Sequence, residues 1–319
     1  MGLPKIAFTM GDPAGIGPEI IVRLLEAHPE YAGQAQLFIY GIPEVIRDAE
    51  KRFCRNPLPP FEMVTATDVR TAHFSDGVLA AECGLAAYQT VAKAAEDALA
   101  GRIDAMVTAP VNKAAVNLNG IPFTGHTELV AGICGVKDFA MMQSAGDLRI
   151  AFVTTHIALA KVPAACNFDR IVRTAILLRD AVKAEGIADP RIGVAAINPH
   201  AGENGNMGRE DEEVVKPAVQ HLKEQGILAE GPIPPDTLFI ESALKKFDGI
   251  LSMYHDQGHI PFKMLAFDRG VNSTLGLPII RTSVDHGTAF NIAGKGIADF
   301  NSLSEAFRIA CRRAGSRQK

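Results

Sequence analysis

What the chain lacks narrows its class first. Five cysteines (Cys54, Cys83, Cys134, Cys166, Cys311) are odd in number and widely spaced, with no Cys-x-x-Cys pair. Neither a disulfide framework nor a thiolate metal knuckle is therefore expected, and a reducing cytoplasm suits the sequence. No apolar run approaches the ~20 residues needed to span a bilayer. The N-terminus passes from Met1 through a short strand, Lys5–Thr9, into a polar glycine-rich turn, without the apolar region of a signal peptide. There is no basic stripe interleaved with aromatics, and 32 Lys and Arg against 36 Asp and Glu leave a net charge of −4. Nucleic acid is thus not an expected partner, and neither is a membrane. Fixed-period repeats and low-complexity tracts are also missing. With 47% hydrophobic and 21% charged residues over 319 positions, the composition fits a globular enzyme with a large core, in two α/β lobes or one large domain.

Strand-like and helix-like segments alternate along the chain. Lys5–Thr9, Gln36–Tyr40, Asp104–Thr108, Leu148–Thr154, Arg191–Ile197 and Gly249–Tyr254 have the β-branched, apolar character of buried strands. Gly17–Glu26, Leu79–Leu99, Phe168–Glu185, Asp211–Glu224, Asp236–Lys246 and Ser302–Arg313 have helical spacing and start signals. This rhythm predicts mostly parallel sheets covered on both faces. The Pro/Gly-rich stretches Asn56–Phe61 and Gly231–Pro235 are expected to be connectors.

Three of the strand candidates stop just before a histidine: His156, His200 and His255. In an open parallel sheet, ligands bind beyond the carboxyl ends of the strands, so residues there converge although distant in sequence. Each imidazole alone is equally well a satisfied strand-end histidine. Three together favour a divalent metal with positions left open for substrate.

Other motifs carry polar chemistry. Met10-Gly-Asp-Pro-Ala-Gly-Ile-Gly-Pro-Glu19 stops a strand at glycines and opens a helix, either an anion-binding helix start or a tight βα turn shaping a cleft wall. It lacks the third glycine of a dinucleotide fingerprint. Thr108-Ala-Pro-Val-Asn-Lys113 ends another strand, Lys113 being a cleft cation or, more simply, a solvated side chain. Gly125-His-Thr-Glu128 marks a helix start where His126 and Thr127 form an oxyanion site, unless Thr127 only caps the helix. Lys263, Asn272 and Arg281 follow His255-Asp-Gln-Gly-His259 through an otherwise apolar segment. Buried cations need partners, and an anionic substrate group is one; a structural ion-pair set is the other. The glycine-rich segment Asp285–Asp299 leads into the last helix and could wrap an adenosine through backbone contacts.

Taken together, Met10–Glu19, Thr108–Lys113, Gly125–Glu128, Asn198-Pro-His200, Tyr254-His-Asp-Gln-Gly258 and Thr282-Ser-Val-Asp-His-Gly-Thr288 resemble the 4-hydroxythreonine-4-phosphate dehydrogenase family of the vitamin B6 pathway. The likeness covers essentially the whole chain. Asp285–Asp299 is also similar to the adenosine-binding loop of isocitrate and isopropylmalate dehydrogenases. The resemblance implies two α/β/α lobes with mostly parallel sheets around a cleft. Residues 1–110 with 265–319 would form a cofactor-side lobe, and 111–264 a metal-binding and dimerisation lobe. It implies a homodimer whose shared site holds one divalent metal (Zn, Mg, Mn or Co) on His156, His200 and His255. His126, Thr127, Lys263, Asn272 and Arg281 would grip an anionic substrate, and NAD or NADP would lie on Gly287, Thr288, Asn291 and Gly294. The implied reaction is oxidation of a secondary hydroxyl followed by decarboxylation, the metal acting on hydroxyl and enolate oxygens. Asp256, Asp236 and Lys113 are candidates for the base.

Two positions depart from the pattern. His259 stands where the strict B6 enzymes would carry an aliphatic residue, which resembles a branch acting on 4-phospho-D-threonate or 4-phospho-D-erythronate. Asn291 replaces the acid expected to face the adenosine ribose, leaving NAD and NADP both open. A nearer rival is a cis-dihydrodiol carboxylate such as terephthalate dihydrodiol, with Lys263 and Arg281 on a second carboxylate. Rivals of other classes are a phosphate acyltransferase and a two-lobed anion-binding module.

Overall fold

Strands buried on both faces dominate the computed structural model, which describes residues 2–70 and 74–317. The chain divides into two compact units, Met1–Lys137 with Leu277–Lys319, and Asp138–Gly276. Strands are numbered along the whole chain.

In the first unit, β1 (Lys5–Thr9), β2 (Gln36–Gly41), β3 (Glu62–Thr65), β4 (Ala105–Thr108) and β11 (Ile280–Val284) pair in the order β3-β2-β1-β4-β11, every pair parallel. Every residue of β4 and β11 is buried. Such strands are near-continuous apolar runs because helices cover both faces. The helix Ala81–Leu99 packs along β1, β2 and β4, while Asn301–Arg317 packs along β1, β4 and β11. Phe307 of the latter stacks on Phe8 and Tyr31, with ring centroids 5.6 and 4.2 Å away.

The second unit orders its strands β10 (Val271–Leu275), β5 (Ala140–Ala145), β6 (Leu148–Phe152), β9 (Gly249–Ser252), β7 (Ile192–Ala195) and β8 (Ala229–Ile233). β5 runs antiparallel to both neighbours, whereas β6, β9, β7 and β8 are parallel. Ile171, Leu178, Val219 and Leu222, from helices Phe168–Ala184 and Lys216–Glu224, close over Val194 and Leu251 in one core cluster. A second cluster gathers Ile150, Phe152, Leu238, Ile250 and Phe262. No helix among the described residues is long and apolar enough to cross a membrane.

Several elements differ from the sequence expectation, each for a local reason. The strand expected over Leu148–Thr154 ends at Phe152, although Thr154 still donates its N–H to Met253 O at 3.1 Å. Asp211–Glu224 is not one regular helix. Its first five residues form a wider π-turn, because the Asp211 carboxylate folds back to accept backbone N–H groups of Ile197 and Asn198. Asp236–Lys246 splits into Pro235–Leu238 and Glu241–Leu244 at an extended Ile240. Gly231–Ile233 is the end of β8 rather than a connector; β8 stands last in its strand order, where proline disturbs no second ladder.

Gly84 shows packing overriding propensity. It faces the helix Lys113–Asn117, and a Cβ there would collide with the Ala115 carbonyl. Helix propensity alone favours Gly84→Ala by about 1 kcal/mol. Overpacking costs more, so the variant should lose a net 1–3 kcal/mol, roughly, by urea denaturation. A stabilised variant would show that the two helices separate without cost.

Candidate active site

The second unit carries the three histidines past the ends of three adjacent strands. β6, β9 and β7 are parallel neighbours, and His156, His255 and His200 follow them. His255 opens the helix His255–Ala266 directly after β9. Gln257 ties the strand ends: its Oε1 accepts from Met253 N at 2.7 Å and Ser252 Oγ at 3.0 Å, and its Nε2 donates to Ala196 O at 2.7 Å. Gly258 brings the helix against β6, since a Cβ would lie 2.7 Å from Phe152 and 2.9 Å from Ile150.

The ring centroids of His156 and His255 are 5.7 Å apart. His255 Nδ1 lies 2.7 Å from Asp256 Oδ1, so this ring donates there and presents Nε2. A carboxylate on the far nitrogen is the usual support of a metal-bound imidazole. The pair thus fits two positions of a metal shell. His200 stands apart, and among the described residues no group of three or more His, Cys, Asp or Glu is placed to hold a metal. Of the proposed bases, Asp256 is occupied by His255, and Asp236 is exposed on the short helix Pro235–Leu238.

His200 sits in a left-handed turn. His200, Ala201, Gly202, Glu203 and Asn204 have φ of 52°, 53°, 77°, 44° and 56°. Such conformations are costly for L-residues and persist only where the surroundings impose them. The fully buried Asp211 anchors the residues that lead into this turn, accepting from Ile197 N at 2.8 Å, Asn198 N at 3.0 Å and Asn198 Nδ2 at 3.1 Å. Elsewhere in this unit, Asn272 pairs across β10 and β5 with Gln143, and its Oδ1 is buried without a hydrogen-bond partner. Lys263 lies two turns along the helix from His255, its Nζ 5.4 Å from the Phe267 ring.

The first unit holds a cationic cluster. Arg281, on β11, is 3% exposed and donates to Thr108 Oγ1 at 3.0 Å and Thr127 Oγ1 at 3.4 Å. Burial lowers its pKa to about 10. Thr127 therefore serves Arg281 and does not cap its helix, His126–Ile133, whose N-cap is Gly125 with no side-chain bond. Burial, then the charges of Arg281 and Lys113, hold His126 well below the usual imidazole range, so it is neutral. Its Nε2 is buried without a hydrogen-bond partner. Lys113 is exposed, yet its charge reaches His126. A buried guanidinium, a neutral imidazole, two hydroxyls and open helix N–H groups suit a phosphate or carboxylate.

In the same unit, the turn after β1 is clamped to the segment 285–299. Ile16 N donates to Thr288 O at 3.1 Å, and the Glu19 carboxylate, 2% exposed, accepts from Ala298 N at 2.8 Å and Gly296 N at 3.3 Å. Gly287 and Asn291 are exposed, while Gly294 has φ of +76° and faces Asp76. A cavity of about 330 Å³ beside Gly294 is lined by Gly15, Glu19, Asp48, Arg52 and Asp76 among others. Asp12, fully buried in the same turn, accepts from Ala14 N at 2.9 Å, but its Oδ2 has no hydrogen-bond partner. Sequence reasoning missed Asp12, Glu19, Asp211 and Gln257 as organisers. Only the acid two residues past Gly-Ile-Gly and the Gln two residues past His255 offered a signal.

Residues 31–310 match the family model of the pyridoxal phosphate biosynthetic protein PdxA. A D-threonate 4-phosphate dehydrogenase of Bordetella bronchiseptica is 42% identical, covering 98% of this chain and 93% of its own length. The crystal structure of a 4-hydroxythreonine-4-phosphate dehydrogenase from Klebsiella pneumoniae superposes with a TM-score of 0.87 at 36% identity, covering 98% of both chains. A terephthalate 1,2-cis-dihydrodiol dehydrogenase from Burkholderia xenovorans LB400 gives 0.73 at 32% identity, again over 98% of both chains.

Asp12 yields a pH prediction. Desolvation, opposed by N–H groups of Ala14 and Asn112, raises its pKa from 3.8 to about 6. The folded state thus binds the proton more tightly than the unfolded one, and stability falls as pH rises between the two values. Below 3.8 this burden is absent; above about 6 it is complete, on the order of 2–3 kcal/mol. Relative to Asp12→Asn, which cannot ionise, the wild type should lose about that much stability between pH 4 and pH 7.5 in chemical denaturation. A difference independent of pH would refute the buried acid.

Proposed function

This chain belongs to the family of the pyridoxal phosphate biosynthetic protein PdxA, and we propose that it is an NAD(P)- and divalent-metal-dependent dehydrogenase of a 4-phosphorylated 3-hydroxy acid, releasing CO2. The substrate is 4-phospho-D-threonate, 4-phospho-D-erythronate or 4-phosphooxy-L-threonine. The observation that carries this reading is the buried Arg281 beside a neutral His126 at a helix start. The Glu128 carboxylate offsets part of the cost of burying that guanidinium, and a guanidinium is the side chain that matches a phosphate with two parallel N–H donors.

His126, kept neutral, adds a hydrogen bond without a further charge. Lys113 contributes an exposed cation, and Lys263 and Asn272 are proposed for the remaining polar ends of the substrate. His156, His200 and His255 are the proposed metal ligands, the set being completed across a homodimer. When bound, a divalent metal supplies Lewis acidity toward the substrate hydroxyl and carboxylate oxygens. Asp256 holds the His255 proton on Nδ1, which favours Asp236 or Lys113 as the base. The segment 285–299 holds the nucleotide through Gly287, Thr288, Asn291 and Gly294. Around the cavity beside it, Glu44, Asp48 and Asp76 outnumber Arg52, which favours the cofactor without a 2′-phosphate. Support for the homodimer comes from an apolar stripe on the helix His255–Ala266 and just beyond it: Ile260, Met264 and Phe267 are 58, 82 and 77% exposed.

Initial-rate NADH formation tests the function, with each phosphorylated acid and with terephthalate dihydrodiol, with and without chelator. Turnover of a phosphorylated acid that chelation abolishes is expected. Turnover of the dihydrodiol alone moves the protein to that branch, and no NADH from any substrate sinks the proposal. Arg281→Lys should lower kcat/KM about 30- to 1000-fold, because an ammonium cannot replace the planar fork. Metal content should remain, and equal damage with a substrate lacking the distal anion would make Arg281 structural. For the homodimer, light scattering should give twice the 34.0 kDa chain mass, and Met264→Glu should shift it toward the monomer. A monomeric wild type with full activity would eliminate the shared site.

A further inference from the structure

We propose that His259 is a positioning residue: by stacking on His255 it fixes the plane of that imidazole, and so the direction in which His255 Nε2 points. The inference rests on the reading of His255 as a metal ligand. His259 is one helical turn after His255, on the same face. Its ring lies 3.9 Å from the His255 ring, centroid to centroid, at an interplanar angle of 9°. Phe152 lies 4.3 Å from it at 27°. Two rings cannot share one face at those distances, so His259 is sandwiched between a core phenyl and the proposed ligand.

The polar contacts lock the middle ring. A carbonyl can only accept, so His259 Nδ1 carries a proton and donates to His255 O at 3.2 Å. Its Nε2 is then an acceptor and receives Gln143 Nε2 at 3.4 Å. Gln143 and His259 are 1% and 8% exposed, so solvent competes little for either contact.

His255 needs this support. Asp256 Oδ1 fixes one point of the ring, but a single hydrogen bond leaves the ring free to swing about its Nδ1···O line, and Asp256 is itself exposed. A parallel ring at stacking distance removes that freedom, which an aliphatic side chain of similar volume cannot do because it has no plane. Gly258 sets the helix height that makes the sandwich possible, through its close approach to Phe152 and Ile150.

The test is cobalt(II) binding to metal-depleted protein, followed by calorimetry and by the visible absorption of the bound ion, which reports ligand geometry. His259→Leu should weaken cobalt binding about 10- to 100-fold, the usual scale for losing support behind a metal-bound histidine, and alter the band pattern. His259→Phe keeps the stack and should stay within about threefold of wild type. Unchanged affinity and spectrum in His259→Leu would overturn the proposal. So would a His259→Phe protein as impaired as His259→Leu, since the plane would then not be what matters. Should His259→Leu fail to fold, judged by circular dichroism, His259→Phe decides alone: retained affinity and spectrum support the stack, and loss of either rejects it. His255→Ala separates the two layers. If it binds cobalt like wild type, the ligand reading itself fails; if it loses cobalt while His259→Leu does not, only the positioning role falls.

Discussion

The constraint on which the rest depends is that strands such as β4, β9 and β11 are buried along their whole length. A charged group placed within such a strand pays the desolvation of its charge, so reactive side chains are confined to the ends. The histidines obey this rule past β6, β9 and β7. Strand ends also leave backbone groups without ladder partners, and Gln257 answers that need for both β9 and β7 with one amide. The side chain beside a proposed ligand is thus spent on backbone, and it fixes the start of the helix that carries His255.

Arg281 is the exception that explains the first unit's polar cluster. It lies inside β11, not beyond it, and burial lowers its pKa to about 10. Even so it is charged at neutral pH. The hydroxyls of Thr108 and Thr127 and the Glu128 carboxylate offset part of the cost of that burial, while burial, and then the nearby charges, keep His126 neutral. A protonated imidazole there would add repulsion to desolvation. The cluster therefore holds one buried cation, one exposed cation at Lys113, the Glu128 carboxylate and one uncharged ring.

Much of this was legible in the sequence, and the rest was not for identifiable reasons. The alternation of apolar strands and amphipathic helices gave the parallel architecture, because burial on both faces writes continuous β-branched runs such as Ile192–Ala195. β5 escaped because Gln143 and Ser144 interrupt its apolar character, although both are buried. The helix His255–Ala266 escaped because Gly258 and Pro261 are poor helix formers, and tertiary contact with β6 decides the matter instead. Candidate site positions were readable wherever chemistry shows in the residue type: His, Arg, Lys. Supporting residues were not, since Asp211 looks like any acid at a helix start and Glu19 like any acid in a first turn. Their roles depend on which backbone N–H groups the fold brings to them, and that is three-dimensional information.

The left-handed turn at His200 shows how far such support goes. A run of four non-glycine residues and one glycine with positive φ costs several kcal/mol, at about 1–2 kcal/mol for each ordinary L-residue. Hydrogen bonds to a buried carboxylate return about 1.5–3 kcal/mol each, and Asp211 accepts three. The two sums are comparable, so the turn depends on Asp211 staying in place. That dependence also accounts for the π-turn at Asp211: a regular helix would aim its side chain along the helix surface, whereas the wider turn lets it reach back to Ile197 and Asn198. The irregular helix start and the strained turn are one device, which places the imidazole of His200 where an ordinary strand-to-helix connection would not.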